Sequence, residues 1–196
     1  FTEFMMVNRY IHRGVQKAFL PGVPGCVEHN QLLAECVRHA KLGQRAICIS
    51  WLDLRNAYGS VRHNLILFAL EYYHFPRWAI ELLFAYYDAL FAFVKTREWE
   101  TEVFQYGIGV FQGCTLSTIL FNIVFNLLYE WLKNVEVEGY KIDEFLVLRD
   151  GFFADDVTLA TSRVADNQKL LDGTGEFLVF SDCFEAKPPK CKSTAM

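Results

Sequence analysis

The stretch Phe145–Thr161, FLVLRDGFFADDVTLAT, decides how this chain is read. Two short apolar runs, Phe145–Leu148 and Val157–Thr161, flank an adjacent acid pair, Asp155 and Asp156. Each run is too short for a stable helix and is rich in strand formers. Asp and Gly between such runs are turn residues, so a β-hairpin with those two runs as its arms is predicted. Neighbouring carboxylates repel, and in a dry site one pKa climbs unless a cation compensates. Aspartate oxygens suit Mg²⁺, which takes one or two carboxylates and leaves room for phosphate. For the pair taken alone, a solvated turn with two harmless acids is the competing reading.

The totals bound the rest. A chain of 196 residues can bury one real core. Hydrophobic content of 53% and aromatic content of 16% exclude disorder. No apolar run reaches the roughly 20 residues needed to span a bilayer, so no membrane is expected. FTEFMMVNRYIHR lacks the basic start and apolar block of a signal peptide. The chain opens on Phe1 inside an expected helix, and a fragment cut at both ends is expected. Six scattered cysteines without a CxxC read as reduced thiols rather than a disulfide frame or a zinc site. A net charge of −4 counts mildly against nucleic-acid binding unless the site itself is acidic.

Moving outward from the hairpin, helices are predicted over Thr2–Val15 and Glu28–Leu42, with the Pro- and Gly-rich loop Gln16–Glu28 between them and Gly43 as a stop. Arg45–Leu54 alternates as a strand that ends at Asp53, and NAYGSV then turns into a helix. An acid at a strand end is either catalytic or a cap for the next helix. Helices follow at Arg62–Tyr73 and Pro76–Leu90, then paired strands Phe91–Thr96 and Glu100–Tyr106. GIGVFQGCTLS, Gly107–Ser117, opens a long apolar helix, Thr118–Leu132; such a loop cradles phosphate or a base, or merely connects. Glu136–Asp143 is a polar connection. Val164–Phe184 is a helix weakened by Gly173 and Gly175, and the tail with Lys187, Lys190 and Lys192 reads as solvated.

The order of these pieces carries more than any one of them. QKAFLPGVPGCVEH, WLDLRNAYGSVRH, GVFQGCTLSTILFN, FFADD and EAKPPKCK follow one another between Gln16 and Met196. In that order they resemble the reverse transcriptases of non-LTR (LINE-like) retrotransposons. Thr118 stands where that family usually has Pro.

The resemblance implies an α+β fold: a right-hand polymerase palm with partial fingers over residues 1–196, a small antiparallel sheet backed by helices. The remaining fingers strand is expected before Phe1 and the thumb after Met196. The implied activity is RNA-directed DNA polymerisation. Adding a nucleotide is an in-line displacement at phosphorus, in which two metal ions about 3.5–4 Å apart clamp the attacking and leaving oxygens. By resemblance, Asp53 and Asp155 bridge two Mg²⁺ ions, with Mn²⁺ as a substitute. Asp156 completes the cluster near the primer end, and the Leu54 carbonyl is a further ligand. Tyr58 is placed as a steric gate against a ribose 2′-OH. Gln112 and Gly113 line the incoming nucleotide and template base, and Phe153 and Ala154 face primer and template. Lys190 is placed to protonate the departing pyrophosphate. Expected partners are an RNA template, a DNA primer and dNTPs, with no stable protein partner. Action inside the cell, in the nucleus, is expected from the family's way of life. The alternatives are an inactive retroelement remnant and a non-enzymatic nucleic-acid scaffold on the same palm.

Overall fold

The computed structural model describes Phe1–Met196. Its first half contains α1 (Thr2–Val7), α2 (Cys26–Gly43), β1 (Cys48–Leu52), α3 (Ala57–Ser60), α4 (His63–Tyr72) and α5 (Arg77–Asp88). The second half contains β2 (Phe91–Ala92), β3 (Phe104–Gln105), α6 (Thr115–Leu132), β4 (Tyr140–Lys141), β5 (Val147–Leu148), β6 (Asp150–Phe153), β7 (Asp156–Thr161), α7 (Val164–Ser181) and β8 (Lys192–Ala195).

A four-stranded antiparallel sheet, in the order β6–β7–β1–β8, organises the molecule, with β2–β3 and β4–β5 as two separate two-stranded pairs. β1 and β7 are its centre, in register from Cys48 opposite Thr161 to Leu52 opposite Val157. Alternation sends successive side chains to opposite faces. Ile49 and Ala160 pack with Cys36, Ala40 and Tyr140 on the α2 side. Val157 and Leu159 join the larger core built on α4, α6 and α7. α6 is apolar almost all round, with Leu120, Phe121, Val124, Phe125 and Leu128 buried. By length and composition α6 could cross a membrane, yet here it is the central core helix, in contact with α4 and α7. Each such side chain contributes about 1.5–3 kcal/mol on burial. The amides on α6 tie down the N-terminal segment. Asn126 Nδ2 donates to Tyr10 O at 3.0 Å and to the Tyr73 hydroxyl at 2.7 Å, and Asn122 Nδ2 donates to Ala18 O at 2.8 Å.

The hairpin forms with a different first arm from the one the sequence suggests. Asp150–Phe153 pairs with Asp156–Thr161, while Val147–Leu148 pairs with Tyr140–Lys141 in the expected polar connection. Asp150-Gly151 is strand rather than turn for two reasons. Arg149 bonds the buried Asp150 carboxylate, and a side chain at position 151 would meet the His29 ring at 3.2 Å. The tail also departs from expectation. Lys192–Ala195 is the fourth strand, paired with β1 from Cys48 opposite Ala195 to Trp51 opposite Lys192. α1 stops at Val7 rather than Val15, and Arg9 takes a left-handed φ of 57°. The 91–106 hairpin pairs only at β2–β3 and at a Lys95–Glu100 bridge. α6 begins at Thr115, three residues before the expected start. α7 runs through its glycines; at Gly173 a Cβ would come within 2.9 Å of Val135, so the small residue permits close packing.

Candidate active site

β1 delivers the first acid. Asp53 follows its last residue, and extending the β1–β7 register by one step sets Asp53 opposite Asp156. Residues opposed in this way have Cβ atoms about 4.5–5.5 Å apart. Pairing continues beyond the strand. Arg55 N–H donates to Glu185 O and Lys187 N–H to Asp53 O, both at 2.8 Å. Between these bonds Leu54, buried, is the non-hydrogen-bonded partner of Ala186, so its carbonyl is outside that exchange. This pairing brings the C-terminal segment beside Asp53: Lys190 Nζ lies 3.5 Å from Asp53 Oδ2. That contact is an ion pair rather than a hydrogen bond, so Oδ2 is a buried acceptor without a hydrogen-bond partner.

The hairpin delivers the other two acids. Phe153 pairs with Asp156, leaving Ala154 and Asp155 as a two-residue turn. Ala154 sits at φ 54°, a strained region for a residue with a Cβ. Burial raises the Asp155 pKa, and the charges of Asp156 and Asp53 raise it further against the pull of Lys190. Asp156, the more exposed, is raised by burial and by Asp53. The three carboxylates therefore share one electrostatic neighbourhood. They are not drawn into a ready ligand set, since no three His, Cys, Asp or Glu side chains are arranged to hold a metal ion. Like charges in a half-dry site repel, and Asp53 leans on Lys190 instead.

Tyr58, on α3, stacks on Phe121 of α6 with ring centroids 4.5 Å apart and planes at 6°. Its hydroxyl is buried without a partner; burial, with the Asp155 charge adding, pushes its pKa up to about 12. The ring is thus rigidly held within the electrostatic reach of Asp155. The loop before α6 is fastened to the same short helix, because Gly109 N–H donates to Val61 O at 2.7 Å and Val110 N–H to Tyr58 O at 2.8 Å. Gly109 has φ 90°, and a Cβ there would meet Gly59 O at 2.8 Å, so only glycine allows this approach. Gln112 and Gly113 project from that loop, both exposed, and form no hydrogen bond with the acids. Phe153 lines a cavity of about 470 Å³ between α2 and the sheet, together with His29, Trp51 and Asp156.

The fold thus gathers Asp53, Asp155, Asp156, Lys190 and Tyr58 and sets Leu54, Phe153 and Ala154 beside them, whereas Gln112 and Gly113 are exposed on the loop before α6. Gln16, which the sequence offers as a loop residue opening the stretch QKAFLPGVPGCVEH but with no role, is buried against Ala154.

Acids at the ends of the two central strands of a small antiparallel sheet, backed by helices, define a right-hand polymerase palm. Solved structures of telomerase share the fold. The apo enzyme from Candida tropicalis superposes with a TM-score of 0.68 at 12% identity, over 98% of this chain and 35% of that one. Telomerase from Candida albicans, in complex with a TWJ fragment of telomeric RNA, gives 0.67 at 11% identity, over 98% and 33%. The family model for reverse transcriptase (RNA-dependent DNA polymerase) matches residues 3–195. This chain belongs to the reverse transcriptase family. It is also 31% identical over 163 residues to the Retrovirus-related Pol polyprotein from type-2 retrotransposable element R2DM of Drosophila melanogaster. That match covers 83% of this chain and 15% of the polyprotein.

Proposed function

We propose that residues 1–196 are the palm and part of the fingers of an RNA-directed DNA polymerase, which extends a DNA primer with dNTPs on an RNA template. The observation that carries this reading is the Asp53 carboxylate. Its Oδ2 is buried without a hydrogen-bond partner, with only the Lys190 ammonium at 3.5 Å as counter-ion, and it stands in electrostatic contact with Asp155 and Asp156. Reverse transcriptases generally use divalent metal ions, and this donor set suits them: all-oxygen, carboxylate-rich and short of positive charge. Asp53, Asp155 and Asp156, with the Leu54 carbonyl, would hold two Mg²⁺ ions. Bound there, the ions would stabilise the charge on the attacking and leaving oxygens.

This chain's own side chains would do the rest. Tyr58, fixed on Phe121, would exclude a ribose 2′-OH and select deoxynucleotides. Gln112 and Gly113 would border the incoming nucleotide and template base. Phe153 and Ala154 would border the primer and template. Lys190, exposed and within reach of Asp53, would leave that carboxylate when cations arrive and give a proton to pyrophosphate. Nuclear action is part of the same proposal.

Primer extension on an RNA template, by the protein that carries this chain in its natural reading frame, tests the reading. The parent should extend with dNTPs and Mg²⁺, and Tyr58→Ala should begin to accept ribonucleotides. A parent unable to extend any primed RNA template would count against it.

A further inference from the structure

The segment between α1 and α2 carries a side chain aimed at the catalytic turn. Gln16 is 2% exposed and lies beside Phe152 in a parallel bridge. Lys17 N–H donates to Phe152 O at 3.0 Å and Phe152 N–H to Val15 O at 2.8 Å, so residues 15–17 cover the outer edge of β6. From that edge the Gln16 amide reaches past the end of the strand. Its Oε1 accepts the Ala154 N–H at 3.1 Å and the Ala18 N–H at 3.0 Å, and its Nε2 donates to Ala154 O at 3.4 Å.

Ala154 is the first residue of the two-residue turn and is itself buried. A buried amide at that position needs a partner from elsewhere, and its left-handed φ of 54° persists only if the surroundings hold it. Asp155 is the next residue. Ala18 is held from its other side, where Asn122 Nδ2 donates to its carbonyl at 2.8 Å. Asn122 belongs to α6, the helix that the Gln112-Gly113 loop opens. One unbroken run of hydrogen bonds therefore joins α6, Ala18, Gln16 and the turn.

We propose that Gln16 is a positioning residue. Its amide clamps the Ala154 backbone, which aims the Asp155 and Asp156 carboxylates and couples the turn to α6. Gln16 bonds only backbone groups of Ala154 and Ala18, and no carboxylate oxygen. The side chain suits the task because one amide supplies an acceptor for two N–H groups and a donor for the carbonyl. Methionine has the same reach and neither function, whereas glutamate keeps the acceptor. Only the kinetic consequence rests on the polymerase reading; the clamp does not.

Amide hydrogen exchange in the whole protein, read beside single-nucleotide incorporation, tests this. In Gln16→Met, the Ala154 and Ala18 amides should exchange at least about tenfold faster, while Ser50 and Leu159 at the sheet centre keep their protection. Gln16→Glu should restore the Ala154 protection. In Gln16→Met, kcat should fall by about tenfold or more with the dNTP KM held within about twofold, because the loss falls on the transition state. Unchanged protection of Ala154 would overturn the clamp. So would uniformly faster exchange across β1 and β7, which would mark a general core residue. Full kcat in a variant whose Ala154 has lost protection would overturn the positioning role. If the parent protein extends no primer, the exchange result alone decides the clamp.

Discussion

One hairpin has two acidic ends. At the start of β6, Asp150 is buried, and burial raises its pKa. Arg149, the residue just before it, opposes that rise and bonds its carboxylate. At the turn, Asp155 and Asp156 are also raised by burial, but their nearest charged company is Asp53 and each other, with the exposed Lys190 as the only cation acting on them. On the proposed reading, the difference separates an acid folded for stability from acids kept for chemistry. The first comes with a cation fixed at its side, and the others leave room for one.

The largest effect should come from removing a turn acid. Asp155→Asn should lower primer extension by about 10³-fold, the scale of losing several kcal/mol of charge stabilisation, without lowering the melting temperature of the metal-free protein. A variant extending within about tenfold of the parent would erase the distinction between the two ends.

Next in size is the cation at the other end. Arg149→Met should cost about 3 kcal/mol in urea unfolding, because it strands a buried carboxylate. The matching change at the turn should divide differently. Lys190→Met should cost less than about 1 kcal/mol, since the lysine is 58% exposed, yet slow incorporation by about 10- to 100-fold. If Lys190→Met proved the more destabilising of the two, the assignment of roles would be reversed.

The smallest effect is on the pH profile. Asp155 and Asp156 have folded pKa values above their unfolded ones, so the folded state binds their protons more tightly. Their contribution is fully present below the unfolded value of about 3.9 and is lost as pH rises through the folded values. The stability difference between the parent and Asp155→Asn/Asp156→Asn, both metal-free, should therefore shift against the parent as pH climbs from about 4 towards neutrality. Added Mg²⁺ should reverse the shift in the parent alone.

The adjacent pair Asp155-Asp156 drew attention because two carboxylates between apolar runs are electrostatically awkward, but only the resemblance of the ordered stretches joined the pair to Asp53. The second arm of the hairpin was legible, and the first was not. FLVL carries the stronger strand signal, and Asp-Gly carries a turn signal that Arg149 and His29 override through tertiary contacts. β8 was hidden for a different reason. Its residues are all exposed, so KSTA has no apolar alternation, and it is held by its backbone ladder with β1. The Leu54–Ala186 pairing that precedes it brings Lys190 beside Asp53, a contact that the sequence placed by resemblance alone. Gln16 gave no local sign, since a clamp shows only once the turn it holds has been placed.

The most direct test follows the side-chain carboxyl carbons by NMR while Mn²⁺ is added to the parent protein. Paramagnetic broadening should strike Asp53, Asp155 and Asp156 together and leave Asp150 sharp. Broadening that starts at Asp150 or at scattered surface acids, or that reaches the turn pair while sparing Asp53, would contradict a shared cation pocket.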